Sequence, residues 1–134
     1  MPENIDQFND YCAKILSHLY DKFPSPTAIQ THILVGGEID EYELKVCPKT
    51  SFGSDTVRWL RNEGFIVAEG GNFGTYHGCY LTAKGLSALN ATPESLAPDE
   101  TVIAKLKKGL ATGSSEVTKS AIGAFVTSVM SGVF

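Results

Sequence analysis

Between Pro48 and Leu81 the apolar pattern changes period, and that change limits what the chain can build. Thr56, Val57 and Leu60 recur at helical steps and mark one face of a helix over 51–63. Thr50 or Ser51, just after Pro48, is expected to cap its start. Gly64 suits the left-handed backbone that closes a helix. Phe65-Ile66-Val67-Ala68 then reads as a strand, Gly70-Gly71-Asn72-Phe73-Gly74 as a turn, and Tyr76 to Leu81 as the returning strand. The expectation is a long helix that runs directly into a β-hairpin.

The flanking segments fill in the rest. Phe8, Tyr11, Cys12, Ile15, Leu16, Leu19 and Phe23 recur at steps of three and four, which predicts a first helix over 5–22. Asn4 and Gln7 stand at capping-box spacing before it, and Pro24 ends it. Thr27 to Ile29 suits a short strand and Gln30 to Val35 a brief helix closed by Gly36-Gly37. Glu38 to Glu43 is an acidic stretch expected to be a solvated loop. Thr82 caps another helix that ends at Asn90, and Leu81 with Leu86 brackets that cap at hydrophobic-staple spacing. Thr92 to Pro98 holds two prolines and reads as a linker. Beyond it Asp99 is expected to cap a helix with Val102, Ile103, Leu106 and Leu110 on one face, broken at Gly113. A last helix starts at Ser115.

Several function classes are disfavoured by composition. The net charge is −4, and residues 1–98 hold seven Lys and Arg against twelve Asp and Glu. That balance argues against strong non-specific binding to nucleic acid, which needs clustered cations. Three cysteines, Cys12, Cys47 and Cys79, occur without a C-x-x-C pair, so neither a disulfide framework nor a zinc cluster is expected, and reduced thiols suit a cytoplasmic protein. His77 and Cys79 share a strand face, but a metal needs three or four converging ligands. No phosphate-loop motif accompanies the glycines at 70–78, and Ser54 lacks the frame of a nucleophile elbow. The expectation is a non-enzyme with no metal and no cofactor.

The stretch Thr56-Val57-Arg58-Trp59-Leu60-Arg61-Asn62-Glu63-Gly64-Phe65-Ile66 resembles the end of a winged-helix recognition helix turning into its wing. Leu81-Thr82-Ala83-Lys84-Gly85-Leu86 resembles the phrase that closes the wing and opens the next helix in bacterial regulators of that type. The chain as a whole is similar to a small group of bacterial winged-helix proteins with a Gly/Ser/Ala-rich C-terminal tail, with the likeness covering roughly residues 5–90. The resemblance implies an α+β fold, a winged helix-turn-helix with a three-helix core and a β-hairpin wing, over 1–91. A linker at 92–98 and a helical tail at 99–134 follow. It also implies a function of binding DNA, RNA or another protein.

On a winged-helix reading, a recognition helix in the major groove would present Ser51, Ser54, Arg58, Arg61 and Asn62 to base edges. Lys49 would touch phosphate, and Asn72, Tyr76 and His77 would meet the backbone from the wing. Double-stranded DNA is then the expected partner and transcriptional regulation the expected role. The wing over 65–81 has no Lys or Arg, which keeps a protein-interaction module as the alternative. Trp59, the sole tryptophan, falls off the Val57/Leu60 stripe and is expected to pack on the first helix or the tail, or else to mark a contact surface.

The tail carries no charge after Lys119. Ile122, Phe125, Val126, Val129 and Val133 form an aliphatic stripe opposite small residues at Ser120, Ala124, Ser128 and Gly132. Such a helix must cover its apolar face, and self-association as a homodimer is the expected solution. The uncharged run is shorter than the roughly 20 residues of a membrane span, which argues against insertion. Peripheral membrane contact aided by Lys105, Lys107, Lys108 and Lys119 is the rival.

Overall fold

The helix-to-hairpin transition lies at the middle of the molecule. The computed structural model describes residues 3–37, 39–40, 45–92, 96 and 99–130. Among these, helix α1 spans Glu3–Lys22, strand β1 Thr27–Gln30 and helix α2 Thr31–Val35. Strands β2 (Ile39–Asp40) and β3 (Lys45–Val46) precede helix α3 (Pro48–Asn62). The hairpin is β4 (Ile66–Asn72) and β5 (Thr75–Leu81), followed by α4 (Ala83–Asn90), α5 (Val102–Thr112) and α6 (Ser115–Met130). The fold is α+β, with a three-stranded antiparallel sheet in the order β1-β5-β4.

Three helix starts differ from expectation. α3 begins at Pro48, with Cys47 as its N-cap accepting from the Thr50 N–H through Sγ. Proline is well placed in a first turn, where its missing N–H costs nothing, so the helix opens before Thr50 or Ser51. α1 already includes Asn4, so Asn4 is helical rather than a cap. Thr101, not Asp99, caps α5, its hydroxyl accepting from the Ala104 N–H at 3.2 Å. Thr82 caps α4 as expected. The acidic segment also differs: β2 and β3 pair antiparallel, with Ile39 opposite Val46 and Asp40 opposite Lys45. Glu38, Glu41 and Glu43 lie outside the described residues.

The turn between β4 and β5 is Phe73-Gly74, with φ of 55° and 77° at its two residues. Two successive positive φ values mark the tight turn whose twist matches a hairpin. The core has one side filled by α1 (Cys12, Ile15, Leu16, Leu19) and α3 (Val57, Leu60), and the sheet adds Ile66, Cys79 and Leu81. Val102, Leu106, Ile122 and Phe125 belong to that same cluster. α5 and α6 are therefore part of the central packing. Lys107 of α5 donates to Asp21 of α1, and Tyr20 of α1 donates to Asn90 of α4 at 2.9 Å. Part of the expected self-association stripe is accordingly used within the chain. Ile122 and Phe125 are buried and Val126 is partly so, because α1 offers an apolar surface facing them. Val133 lies outside the described residues, and for Val129 only its place in α6 is described. Among the described residues no helix is long and apolar enough to cross a membrane.

Burial also sets the cysteine chemistry. It pushes the Cys12 thiol far above its ordinary 9.0 and the Cys79 thiol up to about 11, where backbone hydrogen bonds oppose the shift only in part. Cys47 is partly exposed. At neutral pH a thiol reagent should therefore modify Cys47 first and reach the other two on unfolding. In the folded state both buried thiols keep their protons to higher pH than in the unfolded chain. Their contribution to stability is complete below pH 9; that of Cys79 is lost as pH rises from 9 towards 11, and that of Cys12 goes on falling above this window. Urea midpoints should fall across that window, and Cys79→Ser or Cys79→Ala should flatten the fall.

Candidate nucleic-acid interface

α3 exposes a polar row. Lys49, Ser51, Asp55, Arg58 and Asn62 are solvent-exposed, and the last four lie within about one quadrant of the helix. The opposite face seals the core through Val57 and Leu60. Gly53 lets α2 come close, since a Cβ there would press into Thr31 and Val35. The C-terminal end of α3 is clasped from α4. The Thr82 hydroxyl donates to the Gly64 carbonyl at 2.6 Å, and the Lys84 ammonium donates to the Glu63 carbonyl at 2.7 Å. Lys84 also stands 4.8 Å from the centre of the Phe65 ring. Cations and hydroxyls at this end satisfy carbonyls that have no partner inside the helix.

The hairpin sits against the flank of α3. Tyr76 is buried, and its hydroxyl donates to the Ser54 carbonyl at 3.1 Å. That leaves the Ser54 hydroxyl as the donor in the 2.6 Å bond between Ser54 Oγ and Tyr76 Oη. Arg61 lies with its guanidinium 6.0 Å from the centre of the Tyr76 ring. At the turn, the Thr31 N–H donates to the Gly74 carbonyl at 3.1 Å, and the Thr31 hydroxyl donates to it too. A Cβ on Gly74 would stand 3.2 Å from Thr31 and from Thr50. The turn is thus seated on the N-terminal ends of α2 and α3. Between turn and helix runs a shallow cleft lined by Ser51, Ser54, Arg58, Gly71, Asn72 and Phe73.

The nine residues expected at a nucleic-acid surface therefore separate. Lys49, Ser51, Arg58 and Asn62 are exposed on α3, with Asn72 across the cleft from Ser51 and Arg58. Arg61 is half-buried over Tyr76. Ser54 and Tyr76 bond each other inside the protein and have no free face for DNA. His77 is exposed but lies on the other face of the strand from Tyr76, opposite Glu69. Arg58 stands 3.5 Å from Asp55 in an exposed pair, a contact too screened to immobilise it.

An aromatic seam runs along the opposite flank of α3, where Trp59 packs on the first helix, one of the places expected for it. Trp59 meets Phe8 edge to face at 5.2 Å and Phe65 at 6.0 Å, while Tyr11 meets Phe52 at 5.8 Å. Trp59 stays 38% exposed. Its helical angle off the core stripe was the available signal. Among the described residues, no three His, Cys, Asp or Glu side chains group as a metal site would need. Comparison with family models, curated proteins and solved structures finds no match for this chain.

Proposed function

We propose that the chain is a winged-helix protein that binds double-stranded DNA through the outward face of α3, as a cytoplasmic transcriptional regulator does, without cofactor or chemistry. The element order α1-β1-α2-α3-β4-β5 and the sheet order β1-β5-β4 support the winged-helix reading. The observation that carries the DNA reading is the exposed row Ser51, Arg58 and Asn62, which also holds Asp55 in a loose pair with Arg58, with Lys49 at the helix entrance and Asn72 on the adjoining turn. These are side chains that bond base edges and phosphates. Tyr76 and Ser54 act behind the row by holding the hairpin at a fixed distance from α3. Ile122 and Phe125 are buried in the chain's own core, so a pairing of two copies on a palindromic site would use surface other than these two residues.

Fluorescence anisotropy on labelled genomic duplexes at low salt tests this reading. Arg58→Ala and Arg61→Ala should each weaken binding, Arg58→Ala the more because its side chain is the freer of the two. Each lost phosphate contact should make the logarithmic salt slope shallower by about 0.9. Unchanged retention in the double variant would sink the proposal.

A further inference from the structure

We infer that the groove between the N-terminal half of α1 and α3 is a docking site for a cationic amphipathic helix of another protein. The groove is lined by Phe8, Phe52, Thr56 and Trp59, with the exposed Ile5 and Asp55 at its rim. Ile5 is 45% exposed, and with Trp59 it makes an apolar surface that nothing within the described chain covers. Two helices form the walls, so a third helix laid along the seam completes ridge-into-groove packing. Charge selects the occupant. Among the described residues Asp55 is the only charged one lining the groove; its pair with Arg58 is exposed and weak, so its carboxylate stays available to a cation. DNA has no apolar face to offer the aromatic floor. A second copy joined by its own groove would bring Asp55 towards Asp55. An anionic bilayer meets the same carboxylate and a chain of net charge −4. An apolar helix flanked by Lys or Arg satisfies both the aromatic floor and the rim. The groove shares Asp55 with the polar row of α3, but its aromatic floor lies on the other flank of the helix, and the inference does not depend on the DNA reading.

Trp59 is the sole tryptophan, so its emission reports the groove directly. Tryptophan-free helical peptides with one shared leucine face, flanked by Lys in one and Glu in the other, are titrated into the full chain. The Lys peptide should shift Trp59 emission to the blue and saturate at one peptide per chain, about tenfold tighter than the Glu peptide. Ile5→Glu, an exposed change that leaves circular dichroism unaltered, should remove saturation while DNA retention is unaffected. Asp55→Lys should reverse the order of the two peptides. Asp99→Lys, the same change in net charge at an exposed site elsewhere, should leave it. Equal affinity of the peptides, saturation that survives Ile5→Glu, or reversal by Asp99→Lys would overturn the inference. A shift produced by raising the concentration of the chain alone would overturn it in favour of a second copy. A shift produced by anionic vesicles would overturn it in favour of a membrane.

Discussion

Phe125→Ala should destabilise the whole chain by roughly 3–5 kcal/mol, the cost of emptying a large buried aromatic site. Phe125 is fully buried, and its ring lies 4.6 Å from that of Phe65, which in turn meets Trp59. Phe65 is the first residue after the glycine that ends α3. The ring contact therefore links the last helix of the chain to the helix–hairpin junction at its centre. Loss of this size is a large fraction of the 5–15 kcal/mol that typically holds a domain together. Urea unfolding followed by Trp59 emission and by circular dichroism should give coincident transitions, both at a lower midpoint. A tail that folded apart from the domain would behave otherwise. Phe125→Ala would then leave the Trp59 transition where it was, and a change below about 0.5 kcal/mol, the usual range for surface substitutions, would show that α6 is not part of the core.

That outcome bears on what could be read from the residues alone. The helix–glycine–strand order around Gly64 was legible because three signals agree there: helical periodicity, a residue tolerant of positive φ, and a β-rich run. The turn was harder to place. Gly70, Gly71, Asn72 and Gly74 all tolerate a left-handed backbone, so the sequence did not choose among them, and cross-strand pairing puts the turn at Phe73-Gly74. The tail was ambiguous for another reason. An aliphatic stripe looks the same whether its partner is the same chain or another copy. The missing clue was on α1, where Tyr11, Cys12, Ala13, Ile15, Leu16 and Leu19 are all buried. That arc is wider than one neighbour needs, and it has room for α5 and α6 as well as α3 and the sheet. Within the candidate interface, Ser54 reads as a polar-face residue until Tyr76 is seen to reach it. Alternation along a strand does not tell which face an isolated tyrosine takes.

Gly85→Ala sets two general rules against each other, and geometry decides between them. Gly85 is inside α4, where alanine is favoured over glycine by about 1 kcal/mol from helix propensity. Propensity alone thus predicts a more stable protein. A Cβ at this position, however, would collide with the Phe65 carbonyl oxygen, a backbone atom that also accepts from the Thr82 N–H and hydroxyl. Backbone cannot swing aside as a side chain does. Relief would pull α4 off the strand and open the clasp that Thr82 and Lys84 make on the end of α3. Overpacking of this kind typically costs about 1–3 kcal/mol, and the upper part of that range is expected here. Gly123→Ala is the matched control: it is also within a helix, but a Cβ there meets nothing within 4 Å. Thermal unfolding should show Gly85→Ala less stable and Gly123→Ala more stable than the parent. If both substitutions raised the melting temperature, α4 would not approach β4 as closely as described, and the glycine in the Leu81–Leu86 segment would have no packing reason to be there.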